Sequence, residues 1–137
     1  MPDVRIHELT IADEPATWAG LGFAVEGDVC RVGGVPLRLA GRRRGTGTAP
    51  SGRAAGLLGW TLHGAASDAL DGLPTRLAGD VATPAAGPAA AHPNGVTALD
   101  HVVAITPVLD RTVAALRAAG LDLRRIREEP TLVGALR

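Results

Sequence analysis

Two stretches of this chain follow the same plan. Near the start "HELTI" leads through "WAGLGFAVEGD", and near the end "HVVAI" leads through "RAAGLDLRRIRE". Each sets a histidine, His7 or His101, ahead of an apolar run, then a helix-like stretch, then Gly-Leu and a second strand-like run. A β-α-β unit used twice constrains the fold more than any single residue, because each copy needs a neighbour against which to bury its apolar face. Between the copies, residues 78–95 read "AGDVATPAAGPAAAHPNG", a Pro/Ala/Gly linker in which His92 is expected to face solvent. The expected organisation is a first unit over 1–77, the linker over 78–95, and a partial second unit over 96–137.

Within the first unit, residues 4–11 predict a strand. Val4, Ile6, Glu8 and Thr10 fall on one face and Arg5, His7, Leu9 and Ile11 on the other, so neither face is cleanly apolar. Asp13 is the expected N-cap of a short helix, with Pro15 in its first turn and Gly20 or Gly22 ending it. "FAVEGDVCRV" predicts two strand-like runs joined at Glu26–Gly27–Asp28, and Gly33–Gly34 predicts a second hairpin into "VPLRLAG". Pro36 places that last strand at an edge or at its own first residues. "GRRRGTGTAPSGRAAG" (41–56) reads as a loop, "GLLGWTLHG" as a strand, and the stretch ending in "LDGLPTRLAG" as a short helix. In the second unit "LDHVVAIT" predicts a strand. Thr106 and Pro107 open a helix carrying Leu109, Val113 and Leu116 on its apolar stripe, Gly120 closes it, and "LDLRRIRE" predicts another strand.

Composition narrows the core and the partners. Aromatic residues make up 2% of the chain, with one Phe (Phe23), two Trp (Trp18, Trp60) and no Tyr, so the core is built from Leu, Val, Ala and Ile. Fourteen basic residues, all arginine, balance fourteen acidic ones, which gives no drive toward nucleic acid or an anionic membrane. The arginine run 42–44 has no aromatic neighbour for base stacking. The lone Cys30 forms no internal disulfide and reads as a small core residue. No apolar run reaches the ~18–20 residues of a membrane span, and "MPDVRIHELT" lacks the basic flank and apolar stretch of a signal peptide, so a cytoplasmic protein is expected. "GTGTAPSG" is no phosphate loop, since the chain has no Lys, and nothing places a Ser-His-Asp or Cys-His set together.

The stretch "LDHVVAITPVLDRTVAALRAAGLDLRRIREEP" closely resembles the opening of a module in the vicinal oxygen chelate superfamily of glyoxalases, bleomycin-resistance proteins and extradiol dioxygenases; residues 4–41 resemble it more weakly. The resemblance implies an α+β fold: a glyoxalase-like βαβββ module followed by an incomplete second βαβ module, with curled sheets pairing around a cleft. In metal-dependent members a first-strand histidine and a fourth-strand carboxylate line that cleft. By this likeness His101 takes the histidine position of the second module and His7 that of the first, around one divalent ion (Fe, Mn, Ni or Zn). The carboxylate falls where this chain has Arg38, and an arginine repels a divalent cation. Asp100 and Glu8 are expected to face away from their histidine neighbours, because strand side chains alternate.

Three functional readings follow from the resemblance. One is a metal-dependent lyase or dioxygenase acting on a small molecule with vicinal oxygens, through a Lewis-acid or Fe(II) centre. Another is a binding module of bleomycin-resistance type, which holds a small-molecule ligand without metal, and Arg38 favours it over the first. The last is a truncated product without activity of its own, whose open sheet edge a homodimer or strand exchange would cover.

Overall fold

A computed structural model describes residues 3–41, 56–79 and 91–127. The architecture is mixed α+β: strands β1 (Arg5–Ile11), β2 (Val29–Val32), β3 (Val35–Leu39), β4 (Leu57–His63) and β5 (Thr75–Leu77), with helices α1 (Pro15–Gly20) and α2 (Leu109–Ala118). The strands form one sheet in the order β2-β3-β1-β4-β5. β1 runs parallel to β3 and antiparallel to β4; β2 is antiparallel to β3, and β5 parallel to β4.

The ambiguous faces of β1 have a structural cause. Arg5 and Ile6 pair with His63 and Leu62, but the next pair is Glu8 with Thr61, so His7 is an extra residue at a bulge. A one-residue slip moves every later side chain to the other face. Ile6 before the bulge and Leu9 and Ile11 after it therefore meet on one apolar face, against Leu37, Leu39, Cys30, Val32 and Trp60. Glu8 and Thr10 pass to the opposite face, a consequence that strict alternation from Val4 hides.

Turn chemistry is local and follows expectation. Val32 pairs with Val35 across Gly33–Gly34, whose φ values of 57° and 84° suit a two-residue hairpin of primed type. Gly27 sits at φ 61° in the turn where Glu26 bridges Val29. The residues before that turn, Phe23 to Val25, form no strand; they pack on the core instead. Pro36 lies opposite Arg31 of β2, and the ladder to β1 begins only at Leu37, so the missing N–H is tolerated at the strand's start although β3 is interior.

The apolar face is covered by α1, by residues 91–102 and by α2. Asp13 does not cap α1: its carboxylate accepts a hydrogen bond from Trp18 Nε1 at 2.9 Å, and the N-cap residue is Glu14. His92 is buried rather than solvent-facing. Its Nδ1 accepts the Ala24 N–H at 2.9 Å, which fixes the hydrogen on Nε2, 2.7 Å from the Arg31 carbonyl. Asn94 Nδ2 donates to the Leu21 carbonyl, and a Cβ at Gly33 would stand 2.9 Å from Ala98 Cα. From there Val96, Leu99 and Val102 reach the core at a spacing of three, whereas a strand would bury every second residue.

The expected strands over 99–106 and 121–128 are absent as far as the structure describes them. No backbone–backbone hydrogen bond joins residues 97–107 to any described residue, and an extended run without a ladder is not a strand. The stretch around residues 70–77 forms a turn and β5, not a helix. The predicted second helix forms, but starts at Leu109; Thr106 Oγ1 accepts the Val108 N–H ahead of it rather than capping it. It buries Thr112 and packs Leu116 and Ala119 against Leu62 and Leu70, while Leu109 stays 58% exposed. Asp71 sets this rotation: its carboxylate takes Arg111 Nε at 2.6 Å and the Thr112 hydroxyl at 2.5 Å. Gly120 ends the helix as expected, with Leu121 N–H bonded to the Leu116 carbonyl and Gly120 N–H to that of Arg117. The arginine-rich loop (42–55), most of the linker (80–90) and the terminal "EPTLVGALR" lie outside the described residues.

Candidate functional site

With its apolar face covered, the sheet presents a polar one. The registers align two rows of side chains across it. One runs Arg38–Thr10–Gly59 and the other Glu8–Thr61–Arg76. Alternation along β4 puts Thr61 and His63 on this face, opposite Trp60 and Leu62.

At the β3 side, Arg38 bridges two carboxylates. Its Nε lies 3.2 Å from Glu8 Oε1, its Nη2 3.4 Å from Glu8 Oε2, and its Nη1 3.3 Å from Asp28 Oδ2. The Glu8 carboxylate, by hydrogen bond and charge, raises the already high Arg38 pKa, with a smaller contribution from Asp28. The Arg38 side chain is 45% exposed, so this pairing adds at most about 1 kcal/mol to stability. Its larger effect is to occupy both oxygens of Glu8.

At the β5 side, a cavity of about 350 Å³ opens between Thr10, Thr61, Leu58, Pro74 and Arg76, with Gly59 in its wall. A Cβ on Gly59 would stand 2.9 Å from the Pro74 carbonyl oxygen, so this wall stays bare. Trp60 Nε1 and Thr75 Oγ1, beside it, are already bonded to one another at 2.7 Å. The Thr10 and Thr61 hydroxyls and the Arg76 guanidinium have no hydrogen-bond or ion-pair partner among the described residues.

The two histidines singled out from the sequence occupy unlike elements. His7 is the bulged residue of β1, half-buried. His101 lies in the unpaired segment on the covering layer, exposed, with Nδ1 2.6 Å from Asp100 Oδ2. Asp100 therefore faces its neighbour rather than pointing away, since the alternation of a strand does not apply there. His63 Nδ1 is buried without a hydrogen-bond partner among the described residues. Among the described residues no group of three or more His, Cys, Asp and Glu side chains converges on a metal-sized space. No described helix is long and apolar enough to cross a membrane. Comparison with protein-family models, with curated proteins and with solved structures finds no match.

The cavity residues escaped sequence reading for two reasons. The bulge at His7 reverses the face of Thr10, and Arg76 lies in a stretch read as helical. The available signal was a threonine set between Leu9 and Ile11 in one strand and between Trp60 and Leu62 in the other.

Proposed function

We propose that this chain is a glyoxalase-like binding module for a small molecule, working without a metal on the open face of its sheet. The β-α-β-β-β order over residues 5–63 supports the likeness to a vicinal oxygen chelate module. The observation that carries the metal-free reading is the grip of Arg38 on Glu8. A lyase or dioxygenase centre needs three or more ligands that leave open positions for substrate oxygens. Here the carboxylate nearest the sheet's middle is neutralised by a guanidinium, and His101 is committed to Asp100 on the covering layer. Among the described residues no set of side chains fits a divalent cation, whereas a cavity lined by polar groups and apolar walls fits an organic ligand.

Catechol, a small molecule with vicinal oxygens, is the probe. Titration of the chain without added metal is expected to move the amide resonances of Thr10 and Thr61 saturably. Stoichiometric retention of Fe(II), Mn(II), Ni(II) or Zn(II) after desalting would overturn the metal-free reading. A flat titration at the open face would overturn vicinal oxygens as the feature this face recognises.

A further inference from the structure

We infer that the cavity between β1, β4 and β5 selects a carboxylate, held by Arg76 and the two threonine hydroxyls; this deepens the binding-module reading and rests on it. Arg38 and Arg76 stand on the same face but are not equivalent. Arg38 spends its charge on Glu8 and Asp28 at 3.2–3.4 Å, while among the described residues Arg76 has no counter-ion and is the one charged side chain lining the cavity.

Register sets the donors side by side. Thr61 pairs with Arg76 across β4 and β5, and Thr10 lies one strand further, opposite Gly59. Two hydroxyls and a guanidinium form a donor set for a planar oxyanion, since the fork of an arginine matches two carboxylate oxygens and charge assistance makes such bonds shorter and stronger. The hydroxyls can donate because neither is spent on a partner among the described residues. Beside them the wall is apolar or bare: Leu58, Pro74 and the backbone of Gly59. A Cβ at Gly59 would stand 2.9 Å from the Pro74 carbonyl oxygen, so Pro74 packs directly on that glycine and forms the apolar wall together with Leu58. The ligand class is accordingly a small carboxylic acid bearing an apolar body. At about 350 Å³ the space suits one ring rather than an extended chain.

Benzoate and benzamide, matched in shape and different in charge, test this on the whole chain. Benzoate is expected to bind about tenfold more tightly than benzamide. Arg76→Gln is expected to remove that preference by weakening benzoate much more than benzamide, and Thr61→Val to weaken benzoate by several-fold. Arg76 is exposed on the three-residue β5, so its replacement does not threaten the core. Raising salt should weaken benzoate binding alone. If catechol moves the Thr10 and Thr61 resonances but benzoate binds no better than benzamide, or Arg76→Gln leaves benzoate affinity intact, carboxylate selection falls and the binding-module reading stands. If catechol, benzoate and benzamide all leave the open face unmoved, both fall.

Discussion

β1 and residues 97–107 are both rich in the residue types that favour strands, yet only one of them is a strand. β1 is paired on both sides, by β3 and by β4, and its apolar residues meet those of its neighbours. Residues 97–107 have no ladder partner among the described residues; they lend Leu99 and Val102 to the core and leave Val103 and Ile105 69% and 92% exposed. β-branched composition fits a chain to a pleated surface without creating one. A strand is a property of a pair, and among the described residues the second region has no other half.

The largest effect that separates the two regions is expected at Leu37. It is 1% exposed in the interior strand β3, opposite Leu9 and Cys30. Leu37→Ala removes buried methyl groups and leaves a cavity, and should cost about 2–5 kcal/mol in denaturant unfolding. A loss below ~1 kcal/mol would mean that the sheet face is not packed as described. Next comes His92, which ties the covering layer to the sheet. His92→Leu keeps much of the apolar volume but leaves the Ala24 N–H and the Arg31 carbonyl without partners, at about 1–3 kcal/mol. The same variant should increase protease cleavage within 91–102, because the strap is then held only by Asn94 and by apolar contacts.

These two residues also show what was legible in the sequence. The Gly33–Gly34 hairpin and the Gly120 helix end are decided within a few residues, by positive φ and local hydrogen bonds, and both could be read directly. His92 could not, because its partners lie 68 and 61 residues away, and a histidine in a Pro/Ala-rich stretch carries no local sign of them. The bulge at His7 is likewise a matter of pairing between β1 and β4 rather than of composition. It decides which side chains share the open face, so the mixed α+β fold was more legible than the candidate site. Arg38 stood out because its charge is wrong for a metal site; Arg76 carried no such signal.

A smaller effect is expected at the joint between the regions. The Thr112 hydroxyl, and then Arg111, hold the Asp71 carboxyl below its ordinary range. A carboxylate with a lowered folded-state pKa stabilises the fold above its unfolded value, and that contribution is lost as pH falls through the lowered one. Asp71→Asn suits the backbone, since asparagine tolerates the φ of 53°. The wild type should therefore melt above Asp71→Asn at neutral pH, and the gap should close as the pH drops below the usual carboxylate range. A gap unchanged with pH would detach this carboxylate from the seating of α2.

The smallest effect is the sharpest test of the contrast. Ile105 is 92% exposed, so Ile105→Ala should change stability by no more than about 0.5 kcal/mol, although isoleucine in a strand is ordinarily a packing residue. Hydrogen exchange reads the same region through its backbone: amides of 97–107 have no carbonyl partner among the described residues and should exchange early, while those of β1 and β3 that pair should persist far longer. Protection over 100–106 that grows with protein concentration would make this segment a strand after all. It would mean that a second copy supplies the absent ladder, and Ile105→Ala would then act on assembly rather than on folding. Early exchange at every concentration would instead establish that a strand-like sequence is spent here as cover, with its outward valine and isoleucine in water.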